Sequence, residues 1–180
     1  MNDSTPYRVA IFGAGPSGFY IAQALLKDKD LDVRVDLFDR LPAPYGLVRY
    51  GVAPDHQKIK NVTNVYAKVA ADPRMRFFGN VAFGRDVTLD ELKRYYHQVA
   101  FTTGAQTDRK LGIPGEDADG VIDGLEYLRI ATLGLPYPDH KGKRVVVIGG
   151  GFTSMDCSRT SVRQGCIETT LVYRRDMKDM

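Results

Sequence analysis

Apolar and polar positions change rhythm repeatedly along the chain, and each change marks an element. Val9 to Phe12 is a short apolar run that predicts a strand, and Gly13-Ala14-Gly15-Pro16-Ser17-Gly18 follows it. Gly18, Ala22 and Leu25 then fall on one face of a predicted helix. Val33, Val35 and Leu37 alternate with polar neighbours before the run closes on Asp39. The opening of the chain therefore reads as strand, tight turn, helix and parallel strand.

The regularity breaks at Leu41 to Pro54, "LPAPYGLVRYGVAP", whose prolines and glycines predict a shaped loop in place of a helix or central strand. Ile59, Val62, Tyr66 and Val69 recur at helical spacing until Pro73 stops the pattern. Thr88 with Glu91 predicts a capping box opening a helix before Tyr96. Between them, "RFFGNVAFGRDV" predicts short strands around glycine turns. Gln98 to Thr102 is a further strand, and "DRKLGIPGEDADG" has the turn residues of a connection between domains. A helix is expected from about Gly124 to Leu133, and after "GLPYPDHKGK" a new apolar strand runs from Arg144 to Ile148.

There the first pattern starts again. Arg8-Val9-Ala10-Ile11-Phe12-Gly13-Ala14-Gly15 aligns on Arg144-Val145-Val146-Val147-Ile148-Gly149-Gly150-Gly151. The chain holds two beginnings of one architecture. A glycine turn between a strand and a helix lets backbone N–H groups approach a pyrophosphate, because no Cβ intervenes and the helix dipole favours negative charge.

The second strands differ at their ends. Asp39 stands about 20 residues past Gly18, the spacing of a carboxylate that accepts hydrogen bonds from an adenosine ribose and repels a phosphate on its 2′ oxygen. In the second copy the strand Thr170 to Tyr173 ends in Arg174 and Arg175, which would attract that phosphate through charge-assisted hydrogen bonds. Ser154 stands where Gly18 stands in the first copy, which predicts a helix set slightly farther from its strand.

Composition narrows the remaining classes. A chain of 180 residues, 43% hydrophobic and 26% charged, suits one sizeable core with a second begun. A net charge of +3, with the basic residues scattered, points away from nucleic acid and from a membrane surface. No apolar run approaches the roughly 18 residues of a membrane span, and a strand by Tyr7 leaves no room for a secretory leader, so the chain reads as cytoplasmic. Cys157 and Cys166 are too few for a disulfide framework, a four-cysteine zinc site or an iron-sulfur cluster, and they do not form CxxC. No metal site is assigned, and redox chemistry would need a bound cofactor.

Two such units, the first ending in an acid and the second in arginines, resemble flavoproteins that carry FAD on one domain and NADPH on another. "RVAIFGAGPSGFYIAQALLK", "PYGLVRYGVAPDHQKIKNV" and "GNVAFGRDVTLDEL" resemble adrenodoxin reductase and its bacterial ferredoxin-NADP reductase relatives, from Tyr7 to about Gly120. "VVVIGGGFTSMDCSRTSVRQG" with "TLVYRRDM" is similar to the small subunit of glutamate synthase and to part of dihydropyrimidine dehydrogenase. The resemblance implies an α/β protein: a Rossmann-like FAD-binding domain over residues 1–120, a connector over 121–142, and the start of a second Rossmann-like, NADP-binding domain over 143–180. It also implies a return of the chain, later in such proteins, to complete the flavin pocket, so the sequence reads as the N-terminal part of a longer enzyme.

By the same resemblance Gly13, Gly15, Pro16, Ser17 and Gly18 hold the FAD pyrophosphate, Asp39 its ribose, and Gly46 and Leu47 lie along the flavin. Phe83 falls where the family offers backbone to the adenine, although a smaller β-branched residue is usual there. Gly149, Gly151, Thr153, Arg174 and Arg175 carry the NADP assignment. Phe152 and Ser154 replace the polar residue and alanine usual in that turn, so contacts from Phe152 would be through backbone. His56 matches a histidine near the flavin, where it could tune charge or relay a proton; no catalytic side chain is assigned. The implied activity is an NADPH-dependent flavoprotein oxidoreductase passing electrons through FAD to an iron-sulfur protein such as ferredoxin. A glutamate synthase small-subunit-like flavin subunit and a nucleotide-binding fragment without enzymatic activity are the alternatives.

Overall fold

The computed structural model describes residues 5–105, 107–136 and 140–179; part of the predicted "GLPYPDHKGK" connection lies outside the described residues. By its contacts the chain forms two compact units, residues 1–49 with 58–104, and residues 50–57 with 105–180.

The first unit is a four-stranded parallel sheet. Its elements are β1 (Tyr7–Phe12), α1 (Pro16–Lys27), β2 (Val33–Phe38), α2 (Gly46–Tyr50, whose last residue lies in the second unit), α3 (Gln57–Lys60), α4 (Thr63–Ala70), β3 (Met75–Phe78), α5 (Leu89–Leu92) and β4 (Gln98–Phe101). The strand order is β3-β2-β1-β4, and β1 pairs in parallel with β2 on one side and β4 on the other. A central parallel strand covered on both faces must be apolar throughout, and Val9, Ala10, Ile11 and Phe12 are all buried.

The pleat divides these side chains between two cores. Val9 and Ile11 join Val33, Val35 and Leu37 beneath Phe19, Ala22 and Leu26 of α1 and Tyr66 and Val69 of α4. Ala10 and Phe12 join Phe38 and Leu92 on the other face, where Phe12 stacks on Phe38 at 4.8 Å and Phe38 on Phe78 at 5.0 Å. Full burial of a side chain such as Ile11 contributes roughly 1.5–3 kcal/mol.

Several expectations shift by small amounts, each for a local reason. The predicted helical face of α1 turns so that Leu26 is buried and Leu25 packs at the margin. The single helical pattern from Ile59 to Val69 is two helices, because the Thr63 hydroxyl donates to the Lys60 carbonyl at 2.7 Å and stops α3. The Leu41–Pro54 loop contains the one-turn helix α2, begun after its second proline and tied by Arg49 Nε donating to the Pro44 carbonyl at 2.8 Å. The capping box is present: the Thr88 hydroxyl accepts from Glu91 N–H at 3.3 Å, and Glu91 accepts from Thr88 N–H at 2.8 Å.

The second unit contains α6 (Gly124–Leu133), β5 (Arg144–Ile148), α7 (Phe152–Arg163), β6 (Glu168–Val172) and a terminal 3-10 turn, Met177–Asp179. β5 and β6 are parallel, with Arg144 opposite Glu168 and Ile148 opposite Val172. The second strand therefore ends at Val172, one residue earlier than the sequence pattern predicts. Ala53, Tyr127, Leu128 and Cys157 form the core with Val147 against it, so the segment 50–57 supplies Ala53 to this unit. The Tyr127 hydroxyl donates to Gln164 Oε1 at 2.7 Å and lies 3.1 Å from Ser161 Oγ, joining α6 to α7.

Candidate nucleotide-binding site

The first glycine turn is built by backbone approach. Gly13 has φ 111°, and a Cβ there would lie 2.2 Å from the Thr102 carbonyl oxygen. The Thr102 hydroxyl donates to the Gly13 carbonyl at 2.8 Å, and Gly13 N–H donates to the Phe38 carbonyl at 2.8 Å. Gly18 is required for a second reason: a Cβ on it would meet the Gly13 carbonyl oxygen at 2.1 Å. Gly15 is the N-cap of α1 and Pro16 its first residue, and Phe19 N–H makes the first bond back to the Gly15 carbonyl at 3.1 Å. The amides of Ser17 and Gly18 precede that bond, the first turn has no acid, and no side chain caps it, so the donor set fits an anion.

Asp39 follows β2 and is 4% exposed. Its Oδ2 accepts from Ala14 N–H at 2.8 Å and its Oδ1 from Leu41 N–H at 2.9 Å. The predicted ribose ligand therefore also holds the glycine turn to the end of its neighbouring strand, and each oxygen keeps a lone pair for a hydroxyl. The Ala14 carbonyl accepts from Tyr45 N–H at 2.7 Å, which brings the second loop onto the turn.

Gly46 meets Gly15 there: a Cβ on Gly46 would lie 2.9 Å from the Gly15 Cα. Leu47 is 40% exposed beside it in α2. Tyr45 has φ 90°, a conformation that costs a non-glycine residue about 1–3 kcal/mol. Its ring packs against Phe19 at 5.3 Å and Tyr66 at 5.8 Å, beneath the Arg49 guanidinium. The sequence alone does not single out Tyr45 or Thr102, since neither belongs to a glycine pattern. Phe83 bridges Val87, is 41% exposed, and its ring lies edge-on to Phe12 and Phe101.

The second turn repeats the first. Gly149 has φ 141° and donates to the Val172 carbonyl at 2.9 Å, as Gly13 donates to Phe38. Gly151 caps α7 with φ −93° and ψ 179°, against −86° and −171° at Gly15. Met155 N–H bonds back to the Gly151 carbonyl at 3.2 Å, so the amides of Phe152, Thr153 and Ser154 precede the first helical bond. The side chain of Phe152 is 90% exposed. Ser154 tolerates the Cβ that Gly18 could not carry, its Oγ lying against Gly149 where a Cβ would come within 2.4 Å. Arg174 and Arg175 are exposed after the strand, and among the described residues neither forms an ion pair. Their charge is available to a dianionic group, which fits a phosphorylated ribose.

The structure puts His56 in the second unit. Its Nδ1 lies 3.3 Å from Asp156 Oδ1 and its Nε2 3.0 Å from Arg159 Nη1. Asp156 Oδ2 accepts from Ala53 N–H at 3.1 Å, and Asp55 pairs with Arg159 and, at 2.7 Å, with Arg163. Burial opposes the charge of Asp55, but those two guanidinium groups outweigh it and hold its carboxyl below the usual carboxylate value. Among the described residues no helix is long and apolar enough to cross a membrane.

The profile of the family described as "Pyridine nucleotide-disulphide oxidoreductase" matches residues 7–177, including both glycine turns. NADPH-ferredoxin reductase FprA of Mycobacterium tuberculosis is 46% identical over 162 residues, covering 86% of this chain and 36% of that protein. The mitochondrial NADPH:adrenodoxin oxidoreductase of Drosophila melanogaster is 46% identical over 165 residues, covering 88% and 35%. The chain thus spans about a third of the length of these relatives. The solved structure of M. tuberculosis FprA in complex with NADPH superposes with a TM-score of 0.85 at 40% identity, covering 95% of this chain and 44% of that one. With both turns inside the matched span, the chain belongs to the pyridine nucleotide-disulphide oxidoreductase family.

Proposed function

We infer that this chain is the FAD- and NADP-binding part of an NADPH-dependent flavoprotein reductase that delivers electrons to an iron-sulfur protein. One observation carries the reading: two glycine turns of matching geometry are followed in one case by a buried carboxylate, Asp39, and in the other by the exposed arginines Arg174 and Arg175. The similarity to proteins named NADPH-ferredoxin reductase and NADPH:adrenodoxin oxidoreductase supports it.

In this reading the amides of Ser17 and Gly18 bind the FAD pyrophosphate at the capped end of α1, with Gly13, Gly15 and Pro16 keeping that approach open. Asp39 accepts from the ribose hydroxyls and, by its charge, excludes a 2′-phosphate. Gly46 and Leu47 border the flavin, and Phe83 offers backbone to the adenine. In the second unit Gly149, Gly151, Phe152, Thr153 and Ser154 present the turn, and Arg174 and Arg175 bind the 2′-phosphate of NADP. Bound FAD supplies the conversion between two-electron hydride chemistry and one-electron transfer.

The free cysteines Cys157 and Cys166 suit a reducing compartment, and we place the protein in the cytoplasm on that ground; subcellular fractionation with a tagged chain tests the placement. For the activity, the full chain is titrated with FAD and its visible absorption recorded, then reduced anaerobically. NADPH is expected to bleach the flavin faster than NADH. Equal bleaching by the two nucleotides, or faster bleaching by NADH, overturns the reading.

A further inference from the structure

The two units can be compared residue by residue at the point where each second strand returns to its glycine turn. In the first, Phe12 is opposite Phe38, Gly13 N–H bonds to the Phe38 carbonyl, and the next residue, Asp39, sends its carboxylate back to Ala14. In the second, Ile148 is opposite Val172 and Gly149 N–H bonds to the Val172 carbonyl. The residue that follows is Tyr173, one place before the arginines.

Tyr173 returns to the same place in its turn. A Cβ on Gly150, which aligns with Ala14, would lie 2.5 to 2.7 Å from Cδ2, Cε2 and Cγ of the Tyr173 ring. The aromatic face therefore lies on the backbone of Gly150, where the first unit has a carboxylate on the amide of Ala14. Glycine at position 150 and tyrosine at position 173 are fitted to each other, since any larger residue at 150 would displace the ring.

We propose that Tyr173 preserves the 2′-phosphate preference that Arg174 and Arg175 give the second site by filling the place where the first site has an acid, resting on the reading of that site as an NADP site. An acid at this position would accept the two ribose hydroxyls and repel a 2′-phosphate, as Asp39 is placed to do. Tyr173 lays an uncharged aromatic ring over the turn, which does not repel a 2′-phosphate. It leaves the charges of Arg174 and Arg175 unopposed at the strand end, where an aspartate one residue away would partly neutralise them. The arginines attract the phosphate, and Tyr173 keeps the position beside them free of the group that would cancel the attraction.

Isothermal titration of the full chain with adenosine 2′,5′-bisphosphate and with 5′-AMP reads the specificity directly, without turnover. The wild-type chain is expected to prefer the 2′-phosphorylated nucleotide, and Tyr173→Asp to reduce the ratio of the two affinities by roughly tenfold or more. Tyr173→Asn, nearly the same shape without the charge, is expected to keep most of the preference. Tyr173→Glu, checked by far-ultraviolet circular dichroism, replaces the aspartate variant if that one does not fold. An unchanged ratio in the folded acidic variant overturns the role of Tyr173, provided the doubly substituted Arg174→Gln, Arg175→Gln chain loses the preference. If that double variant keeps the preference, the arginine reading itself fails and the role of Tyr173 falls with it.

Discussion

Asp39 Oδ2 and the amide of Ala14 lie 2.8 Å apart, both buried, so the carboxylate assigned to a ribose is also a structural clamp on the glycine turn. Its second oxygen takes the amide of Leu41 at 2.9 Å. In Asp39→Asn one of these N–H groups would face an amide NH2 in place of an acceptor. Leaving a buried donor unsatisfied costs about 1–3 kcal/mol. Urea unfolding of Asp39→Asn is expected to show a loss of that size, together with weaker FAD binding by fluorescence titration. A variant of unchanged stability would mean that the clamp contributes nothing.

The two turns make opposite predictions for the same kind of substitution. Gly18→Ala drives a Cβ to 2.1 Å from the Gly13 carbonyl oxygen, which β1 and Thr102 hold in place. Overpacking of this kind costs roughly 1–3 kcal/mol, and the strain falls on the first glycine turn. Ser154→Ala, at the aligned position, keeps a Cβ that the second turn already accommodates and should change stability by less than about 0.5 kcal/mol. Thermal unfolding of the two variants checks the contrast; similar losses in both would remove the distinction between the turns.

Most of this arrangement is legible in the sequence where local chemistry decides it. Glycines with positive φ, the Thr88–Glu91 capping box and the apolar strands β1 and β5 follow from patterns a few residues long. What was hidden depends on pairing across the chain. The end of β6 is set by its register with β5, and that register moves Tyr173 into the position of Asp39. The alternation of Val33, Val35 and Leu37 says nothing of what covers Asp36, which is 4% exposed because Tyr96 and Arg76, distant in sequence, close over it. Tyr45 carries no glycine to announce its φ of 90°, and the membership of residues 50–57 in the second unit rests on Ala53, Asp55 and His56 meeting α6 and α7.

Asp55 gives a pH dependence with a definite sign. Its folded carboxyl titrates below the model-peptide value of 3.8, because Arg159 and Arg163 outweigh the cost of burial. A depressed folded pKa contributes stability that is fully present above the unfolded value and lost as pH falls through the folded one. The urea midpoint of the wild-type chain should therefore exceed that of Asp55→Asn at pH 6, and the difference should shrink as pH falls below about 4. Added salt should narrow it as well. A difference that grows on acidification would reverse the assignment.

Arg76 and Tyr96 offer the sharpest test of packing in the first unit. Arg76 Nε and Nη2 donate to the two oxygens of Asp36 at 2.7 and 2.6 Å, and the Tyr96 hydroxyl donates to Oδ2 at 2.6 Å. Burial first, then the Asp36 carboxylate, pushes the Tyr96 phenol well above its ordinary range, so it remains a donor at any working pH. Removing Arg76 uncovers the Asp36 carboxylate to water and takes two charge-assisted hydrogen bonds from it, a loss of about 1.5–3 kcal/mol. The exposed Arg85–Asp86 pair, although the Arg85 side chain and then the Ala82 amide hold Asp86 at about 2, sits in water, where solvent screens it, and should contribute far less. Arg76→Ala is thus expected to unfold at clearly lower urea than Arg85→Ala, and Tyr96→Phe to fall between them. Because Asp36 lies on the face of β2 opposite the packing of α1, none of these changes should alter FAD binding beyond what the lost stability accounts for, and a selective loss of flavin in folded Tyr96→Phe would refute that separation.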